Sequence, residues 1–183
     1  MREPISELRV TDFDFSRFNG AEGRLAQNGY EIMALPELQV RDPEWLTKLY
    51  ELDWDVSRDI PSPDPPIQQP LDEWRKLFSH PEFCAEAWFV AIKGDEWVGI
   101  SNLWVVESNP KKLYTGLTGV SRAHRRQGLA LAMKLRAIEF AQQRGAERIE
   151  TENEENNPML GINIRLGFTT TPASVIYEKR LAS

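Results

Sequence analysis

The chain has 183 residues, of which 41% are hydrophobic and 27% are charged, and it carries a net charge of −6 at pH 7. These values fit one globular domain with a substantial core, and they argue against a disordered chain, a membrane protein or a nucleic-acid-binding protein. The single cysteine excludes an intramolecular disulfide, the two histidines lack metal-ligand spacing, and the N-terminus lacks a signal-peptide pattern, so we expect a cytoplasmic protein without a metal.

The first 40 residues have the weakest pattern in the chain. Their apolar spacing predicts a strand, a helix and a second strand: Leu8–Phe13, Phe18–Gln27 and Tyr30–Leu35. The stretch from Leu25 to Tyr30 is faintly similar to Leu166–Phe168, which indicates either a weak internal repeat or chance similarity. We therefore divide the chain into an N-terminal extension, residues 1–40, which could be the remnant of a preceding copy, and a main domain, residues 41–183.

Two helices and a proline-rich connection follow. Asp42 and Pro43 are typical of a helix start, and apolar residues continue at helical spacing as far as Val56. The stretch Asp59–Pro70 contains five prolines, which exclude regular structure there. A second short helix is predicted over Leu71–Phe78. Four aspartates cluster in this part of the chain and could attract a cation: Asp53, Asp55, Asp59 and Asp64.

The middle of the chain has the pattern of an antiparallel meander. Three runs rich in β-branched and aromatic residues are separated by turn residues: Trp88–Lys93, Trp97–Glu107 and Leu113–Val120. Cys84 precedes the first run, and we interpret it as a packing residue because no activating partner is evident.

The turn after the third run carries Arg125, Arg126 and Gly128, and a long helix begins there. Free N–H groups at a helix start bind anions, glycine admits a phosphate close to the backbone, and arginines add charged donors. The turn therefore indicates a diphosphate site, with an ordinary strand–helix connection as the alternative. A Walker-type nucleotide site is excluded because the turn lacks the Gly-Lys-Ser/Thr ending.

The helix after this turn is predicted over Gln127–Arg144. Two apolar stripes indicate a helix buried on most sides, with one exposed ridge: Ala132, Arg136, Glu139 and Gln143. A strand over Arg148–Asn153 should lie parallel to Leu113–Val120 by the crossover rule. A helix over Pro158–Leu166 and a strand over Ser174–Arg180 complete the prediction.

Two motifs give the chain a family resemblance. Arg125-x-x-Gly128-x-Ala130 resembles the Arg/Gln-x-x-Gly-x-Gly/Ala signature of the GNAT superfamily, the acyl-coenzyme A-dependent N-acetyltransferases. Downstream residues resemble the second half of the same domain, in the expected order: Thr151 to Asn153, Asn156 to Met159, Asn163 and Leu166–Phe168. The resemblance covers residues 87–181. It implies an α/β fold with a mixed, mostly antiparallel sheet, two parallel strands that splay apart, and helices on both faces.

The resemblance also implies where acetyl-coenzyme A binds. Its pantetheine arm would lie between Leu113–Val120 and Arg148–Asn153, and its diphosphate on the turn. The implied cofactor-binding residues are Thr118, Val120, Arg125, Arg126, Gln127, Gly128, Leu129, Ala130, Asn153 and Asn156. For the two asparagines a turn or helix-cap role is the alternative. The helices around Trp54 and Trp74 would form a wall of the acceptor pocket, or else a plain surface.

The proton-handling residue is left open. Many family members have a tyrosine in the helix before the Gly-Phe corner, and the matching residue here is Asn163, which is no acid at neutral pH. Other candidates are Tyr114, Glu107, Tyr177 and solvent. We expect an N-acetyltransferase that acts on a small-molecule amine, with a homodimer allowed. The alternative is a non-catalytic acyl-coenzyme A sensor or interaction domain.

Overall fold

A computed structural model describes residues 5–60, 65–152 and 158–170. They form one mixed sheet of seven strands in the order β2-β3-β4-β5-β6-β1-β7. The strands are β1 Ile5–Arg9, β2 Tyr30–Ala34, β3 Trp88–Lys93, β4 Glu96–Val105, β5 Lys112–Val120, β6 Arg148–Glu152 and β7 Thr169–Thr170. The helices are α1 Ala21–Gln27, α2 Leu35–Arg41, α3 Trp45–Ser57, α4 Leu71–Trp74, α5 Leu129–Gln143 and α6 Pro158–Leu166.

The centre of the sheet confirms the predicted meander. Strands β3, β4 and β5 pair antiparallel in sequence order. Among the described strands, only β5 and β6 pair in parallel, with helix α5 as the crossover between them. The α/β fold class with a mostly antiparallel sheet is thereby confirmed. The predicted strand Ser174–Arg180 lies outside the described residues.

The first 40 residues contribute two strands to this sheet. The predicted strand Leu8–Phe13 is shifted, because β1 covers Ile5–Arg9 and short 3-10 turns follow it. Strand β1 pairs with β6 on one side and β7 on the other, and β2 pairs with β3. Strands from both sides of residue 40 therefore pair in one sheet. The origin of residues 1–40 as the remnant of a preceding copy stays a prediction.

Helix α2 is absent from the sequence-based prediction. Its first turn contains Pro36, and the Glu37 carboxylate accepts a hydrogen bond from the Ala34 backbone N–H at 3.0 Å. Both features stabilise a helix start, but the apolar run beginning at Tyr30 hides them. Asp42 does act at the start of α3, where its carboxylate accepts the Glu44 N–H at 2.9 Å.

Alternating side chains of the sheet build a separate core on each face. Trp88, Val90 and Ile92 of β3 pack with α2, α3 and α4 on one face. Phe89 and Ala91 point to the other face, where α5 supplies most of the core and α6 closes its edge. Helices thus cover both faces of the sheet, as predicted.

Helix α5 is buried on most sides, as its two apolar stripes predict. The expected exposed ridge is wrong at Ala132, which is fully buried, while Glu139 and Gln143 are exposed. A small side chain at residue 132 lets the helix lie close to the sheet. Within residues 5–60, 65–152 and 158–170, no helix is long and apolar enough to cross a membrane.

Candidate active site

Strands β5 and β6 separate soon after they meet. They pair only where Lys112–Tyr114 faces Arg148–Glu150. Beyond that point, β6 stays paired with β1, through Ser6 and Thr151 for example, while its pairing with β5 ends at Glu150. A cleft of about 290 Å³ fills the gap, lined by Thr115–Val120 on one side and by Thr151 and Glu152 on the other. A slender chain with amide groups could enter here and lie between the two strands.

A bulge and two glycines shape the β5 side of the cleft. The β4–β5 register shifts between Ser101 and Leu103, and the bulged Asn102 accepts a hydrogen bond from the Leu117 N–H at 2.9 Å. A Cβ on Gly116 would come within 2.4 Å of Asn102, and one on Gly119 within 2.7 Å of Val56 in α3. The bend of β5 away from β6 therefore depends on glycine and on the buried Asn102.

The turn between β5 and α5 has the geometry of an anion cradle. Gly128 immediately precedes α5 with a φ of 89° and Arg126 has a φ of 64°, and left-handed residues of this kind occur in backbone concavities that bind anions. No side chain among the described residues caps the helix start, and a Cβ on Gly128 would meet nothing within 4 Å. The side chains of Leu129 and Ala130 are buried, so these residues offer only their backbone N–H groups.

Arg125 has a different surrounding from the one its motif suggests. Its guanidinium donates to the Val120 carbonyl at 2.9 Å and to Asp59, which also binds Arg122. The Arg122 and Arg125 partners hold the pKa of the Asp59 carboxyl well below its usual range. Arg125 thus ties the end of α3 to the turn, while Arg126 and Gln127 are exposed beside it.

The N-terminal part of the chain supports the same turn. The Tyr30 hydroxyl lies 3.0 Å from Nδ1 of His124, and His124 Nε2 lies 3.4 Å from the Glu96 carboxylate. These contacts join β2 and β4 to the 3-10 turn that precedes Arg125. Residues 1–40 therefore help to position the cradle.

The predicted cofactor-binding residues are divided among three places. Thr118, Val120 and Arg125 line the cleft, and Arg126, Gln127, Gly128, Leu129 and Ala130 form the turn at its mouth. Asn153 and Asn156 lie outside the described residues.

None of the three candidate catalytic residues lines the cleft. Tyr114 is the last β5 residue paired with β6, just before the cleft begins, and Glu107 is exposed on the β4–β5 connection. Asn163 lies one turn after Met159, a cleft residue on the same face of α6. It is 1% exposed, and neither polar atom of its side chain has a hydrogen-bond partner in the described part of the chain. A buried, unsatisfied amide next to a cleft is a group suited to a ligand.

Lys134 is a cleft residue that the sequence analysis missed. It lies on the sheet-facing side of α5, is 5% exposed, and lines the cleft together with Thr115 and Thr151. Burial lowers its pKa to about 8. The available signal was a lone lysine between the apolar neighbours Met133 and Leu135 on a helix predicted to be buried.

A second cavity of about 300 Å³ adjoins the cleft, and Ile60 lines both. Asp53, Trp54 and Trp74 contribute to its wall, with Tyr50 and the segment 66–69. The Trp74 indole N–H donates to Asp53 at 3.1 Å, and burial raises the pKa of the Asp53 carboxyl. Such a cavity suits a small ligand that carries a positive charge or that packs against aromatic rings.

The other aspartates of this cluster have cationic partners or are not described. Asp55 pairs with Arg58 and Asp59 with two arginines, while Asp64 lies outside the described residues. Burial raises the pKa of Cys84, which opposes a nucleophilic role. Among the described residues, no cluster of three or more histidine, cysteine or acidic side chains could hold a metal ion.

Known proteins resemble this chain in sequence pattern and in fold. The model of the acetyltransferase (GNAT) family matches residues 46–168, and no match occurs among curated proteins. A GCN5-related N-acetyltransferase from Sphaerobacter thermophilus has 15% identity and a TM-score of 0.65, over 92% of this chain and 48% of its own. A tandem GNAT protein from the clavulanic acid biosynthesis pathway has 19% identity and a TM-score of 0.62, over 92% of this chain and 50% of its own.

A third structure combines the fold with bound ligands. The diaminobutyrate acetyltransferase from Paenibacillus lautus, in complex with L-2,4-diaminobutyric acid and coenzyme A, has 21% identity and a TM-score of 0.54, over 75% of this chain and 73% of its own. These identities show a shared fold only. The chain spans about half the length of the Sphaerobacter and clavulanic acid pathway proteins.

Proposed function

The chain belongs to the acetyltransferase (GNAT) family, and from this premise we propose that it transfers the acetyl group of acetyl-coenzyme A to a primary amine of a small molecule. The observation that carries the proposal is the cleft between β5 and β6, which leads from the uncapped start of α5 to the point where the strands meet. A long anionic cosubstrate with a slender amide-containing arm fits this combination.

Each part of the cosubstrate has a matching part of the site. The N–H groups of residues 126–130 would bind the diphosphate at the positive end of the α5 dipole. The strand segment Thr115–Val120, which lines the cleft opposite Thr151 and Glu152, would bind the amides of the arm. The unsatisfied amide of Asn163 would gain a partner there. Acetyl-coenzyme A supplies the acetyl group as a thioester.

The acceptor would enter through the second cavity. Of the described aspartates in the cluster, Asp53 is the one without a cationic partner among the described residues, and it lies among Tyr50, Trp54 and Trp74. A protonated amine would be attracted by the carboxylate and the aromatic faces, and it must lose its proton before it attacks the thioester. The shared residue Ile60 marks the passage from this cavity to the cleft.

Gly128→Glu tests the cradle directly. A carboxylate there would occupy the diphosphate position and repel the ligand, so calorimetry should detect no coenzyme A binding. Gly145→Glu is the matched control, because Gly145 follows the other end of α5, has a φ of 74° and also has open space around its Cβ position. The two variants carry similar backbone strain. Equal coenzyme A affinity in both folded variants would refute the cradle.

A non-catalytic sensor of acyl-coenzyme A is the second candidate, because Asn163 stands where the resemblance implies an acid. Release of free thiol separates the two functions. An acetyltransferase releases coenzyme A thiol from acetyl-coenzyme A in the presence of at least one member of an amine library. A sensor binds the cosubstrate and releases none with any amine.

A further inference from the structure

Lys134 is a buried charged residue in the cleft, and the acetyl transfer proposed above does not involve it. Its side chain is 5% exposed, and its ammonium lies 5.6 Å from the ring centroid of Phe168. The structure records no hydrogen bond or ion pair for it among the described residues. An ammonium that has lost water without gaining a carboxylate is costly. Such a group needs an anion or a strong acceptor brought by a ligand.

Lys134 lies where the cleft closes. It lines the cleft with Thr115 and Thr151, and it also lines a cavity of about 10 Å³ beneath them, with Ile149 and Phe168. The stretch from Val120 to Thr115 spans about 17 Å of extended strand, a length comparable with that of the pantetheine arm. An arm whose diphosphate lies on the turn at Gly128 would therefore bring its sulfur close to Lys134.

We propose that Lys134 donates a proton to the sulfur of coenzyme A as the thiolate leaves, an inference that rests on the proposed function. The acceptor nitrogen forms a bond to the acetyl carbon, and the carbon–sulfur bond breaks with its electron pair on sulfur. Lys134 gives a proton from Nζ to that sulfur. The proton lost by the acylated nitrogen passes to solvent, and Lys134 regains one from solvent before the next turnover.

The environment favours the role of an acid. With a pKa of about 8, Lys134 is charged in most molecules at neutral pH and still gives up its proton readily. The charged groups that share the cleft are Glu152, Asp59 and Arg125, and the last two neutralise each other. The cavity beyond Lys134 has room for about one water. Lys134 could instead bind the carboxylate of a longer acyl group, but such a group would not fit in this cavity. The ammonium is therefore available to the sulfur.

The other candidates are less suitable. Asn163 has no proton to give at neutral pH, and Glu107 is exposed on a connection outside the cleft. Tyr114 precedes the cleft on β5, where it lies opposite Glu150 of β6. Tyr177 lies outside the described residues, and among those described Lys134 is the acidic N–H or O–H donor that is both buried and in the wall of the cleft.

The first test measures the bound thiol and needs no acceptor. Coenzyme A is titrated in complex with the wild type, Lys134→Met and Lys111→Met, and thiolate formation is followed by ultraviolet absorbance with desulfo-coenzyme A as the blank. Methionine keeps the length and apolar contacts of lysine without its charge. Lys111 is an exposed lysine outside the site. We expect the thiol pKa to be about 1–3 units higher in the Lys134→Met complex than in the other two.

The second test measures turnover with an acceptor found in the amine screen. Lys134→Met should lower kcat by about 10²–10⁴-fold and change KM for acetyl-coenzyme A little, whereas Lys111→Met should match the wild type. The fall of wild-type kcat above pH 8 should disappear in Lys134→Met, because it reports the loss of the Lys134 proton.

The outcomes separate the two proposals. If the folded wild type binds neither coenzyme A nor desulfo-coenzyme A, the proposed function is wrong and the inference falls with it. If the wild type binds coenzyme A but the thiol pKa is the same in all three proteins, Lys134 is not next to the sulfur and only the inference is overturned. An unchanged kcat in Lys134→Met would overturn it equally.

Discussion

Replacing Lys134 by methionine should stabilise the free protein at neutral pH. The fall of the Lys134 pKa from 10.5 to about 8 corresponds to about 3 kcal/mol at 1.36 kcal/mol per pKa unit. The variant also loses the contact between the ammonium and the Phe168 ring, which reduces its gain in stability by about 1 kcal/mol. A net gain of about 2 kcal/mol should raise the melting temperature by roughly 4–8 °C in a domain of this size.

The pH dependence of this gain identifies its cause. Between pH 8 and 10.5 the unfolded chain keeps the Lys134 proton while the folded chain loses it, so wild-type stability rises with pH relative to the variant. The stability difference between Lys134→Met and the wild type should therefore be largest below pH 8 and should decrease as the pH rises toward 10.5. Groups shared by the two proteins cancel in the comparison.

Urea unfolding of the free proteins at a series of pH values measures this difference, with Lys111→Met as the control. The control should show no pH-dependent gap of this size, because Lys111 is exposed and forms a weak ion pair with Glu147 at 3.9 Å. If Lys134→Met is no more stable than the wild type at pH 7, and the gap is constant with pH, then the ammonium is not desolvated and the reasoning fails.

Two further predictions concern the groups around the cleft and the second cavity. Asn163→Leu removes two unsatisfied buried polar atoms and should leave the protein equally or more stable in thermal melts. The same change should lower turnover. A loss of several kcal/mol in stability would mean that the amide already has hydrogen-bond partners. Asp53→Asn should raise KM for a cationic acceptor about tenfold, since a hydrogen bond to a charged group contributes about 1.5–3 kcal/mol, and leave KM for acetyl-coenzyme A unchanged. Asp55→Asn is its control in steady-state kinetics, and equal effects would refute the acceptor wall.

Much of the fold could be predicted because local patterns decide it. The meander from Trp88 to Val120 has β-branched residues between clear turns, and α5 has apolar stripes that end at Gly145. The crossover rule then places β6 parallel to β5, as observed. Helix α2 was missed since its start signal follows a strand without a break.

Only the parts of the site that are formed by backbone groups could be predicted from the sequence. The cradle is a matter of glycine and a helix start, which are visible in the motif around Gly128. The partners of Arg125 could not be predicted, because Asp59 is 66 positions away in sequence and their contact depends on how α3 packs on β5. The burial of Lys134 is likewise a property of the packed sheet, and a sequence shows only a lysine on an apolar helix.

Two of the costly buried groups of this structure lie at the same place. Lys134 is a desolvated cation in the wall of the cleft, and Asn163 is an unsatisfied amide one turn from the cleft residue Met159. Chains usually avoid such costs in a core, and violations concentrate at functional sites. Both costs are relieved by the same event, the arrival of a ligand with a polar, sulfur-bearing arm. Coenzyme A should therefore stabilise the wild type more than Lys134→Met, which narrows the stability difference predicted for the free proteins.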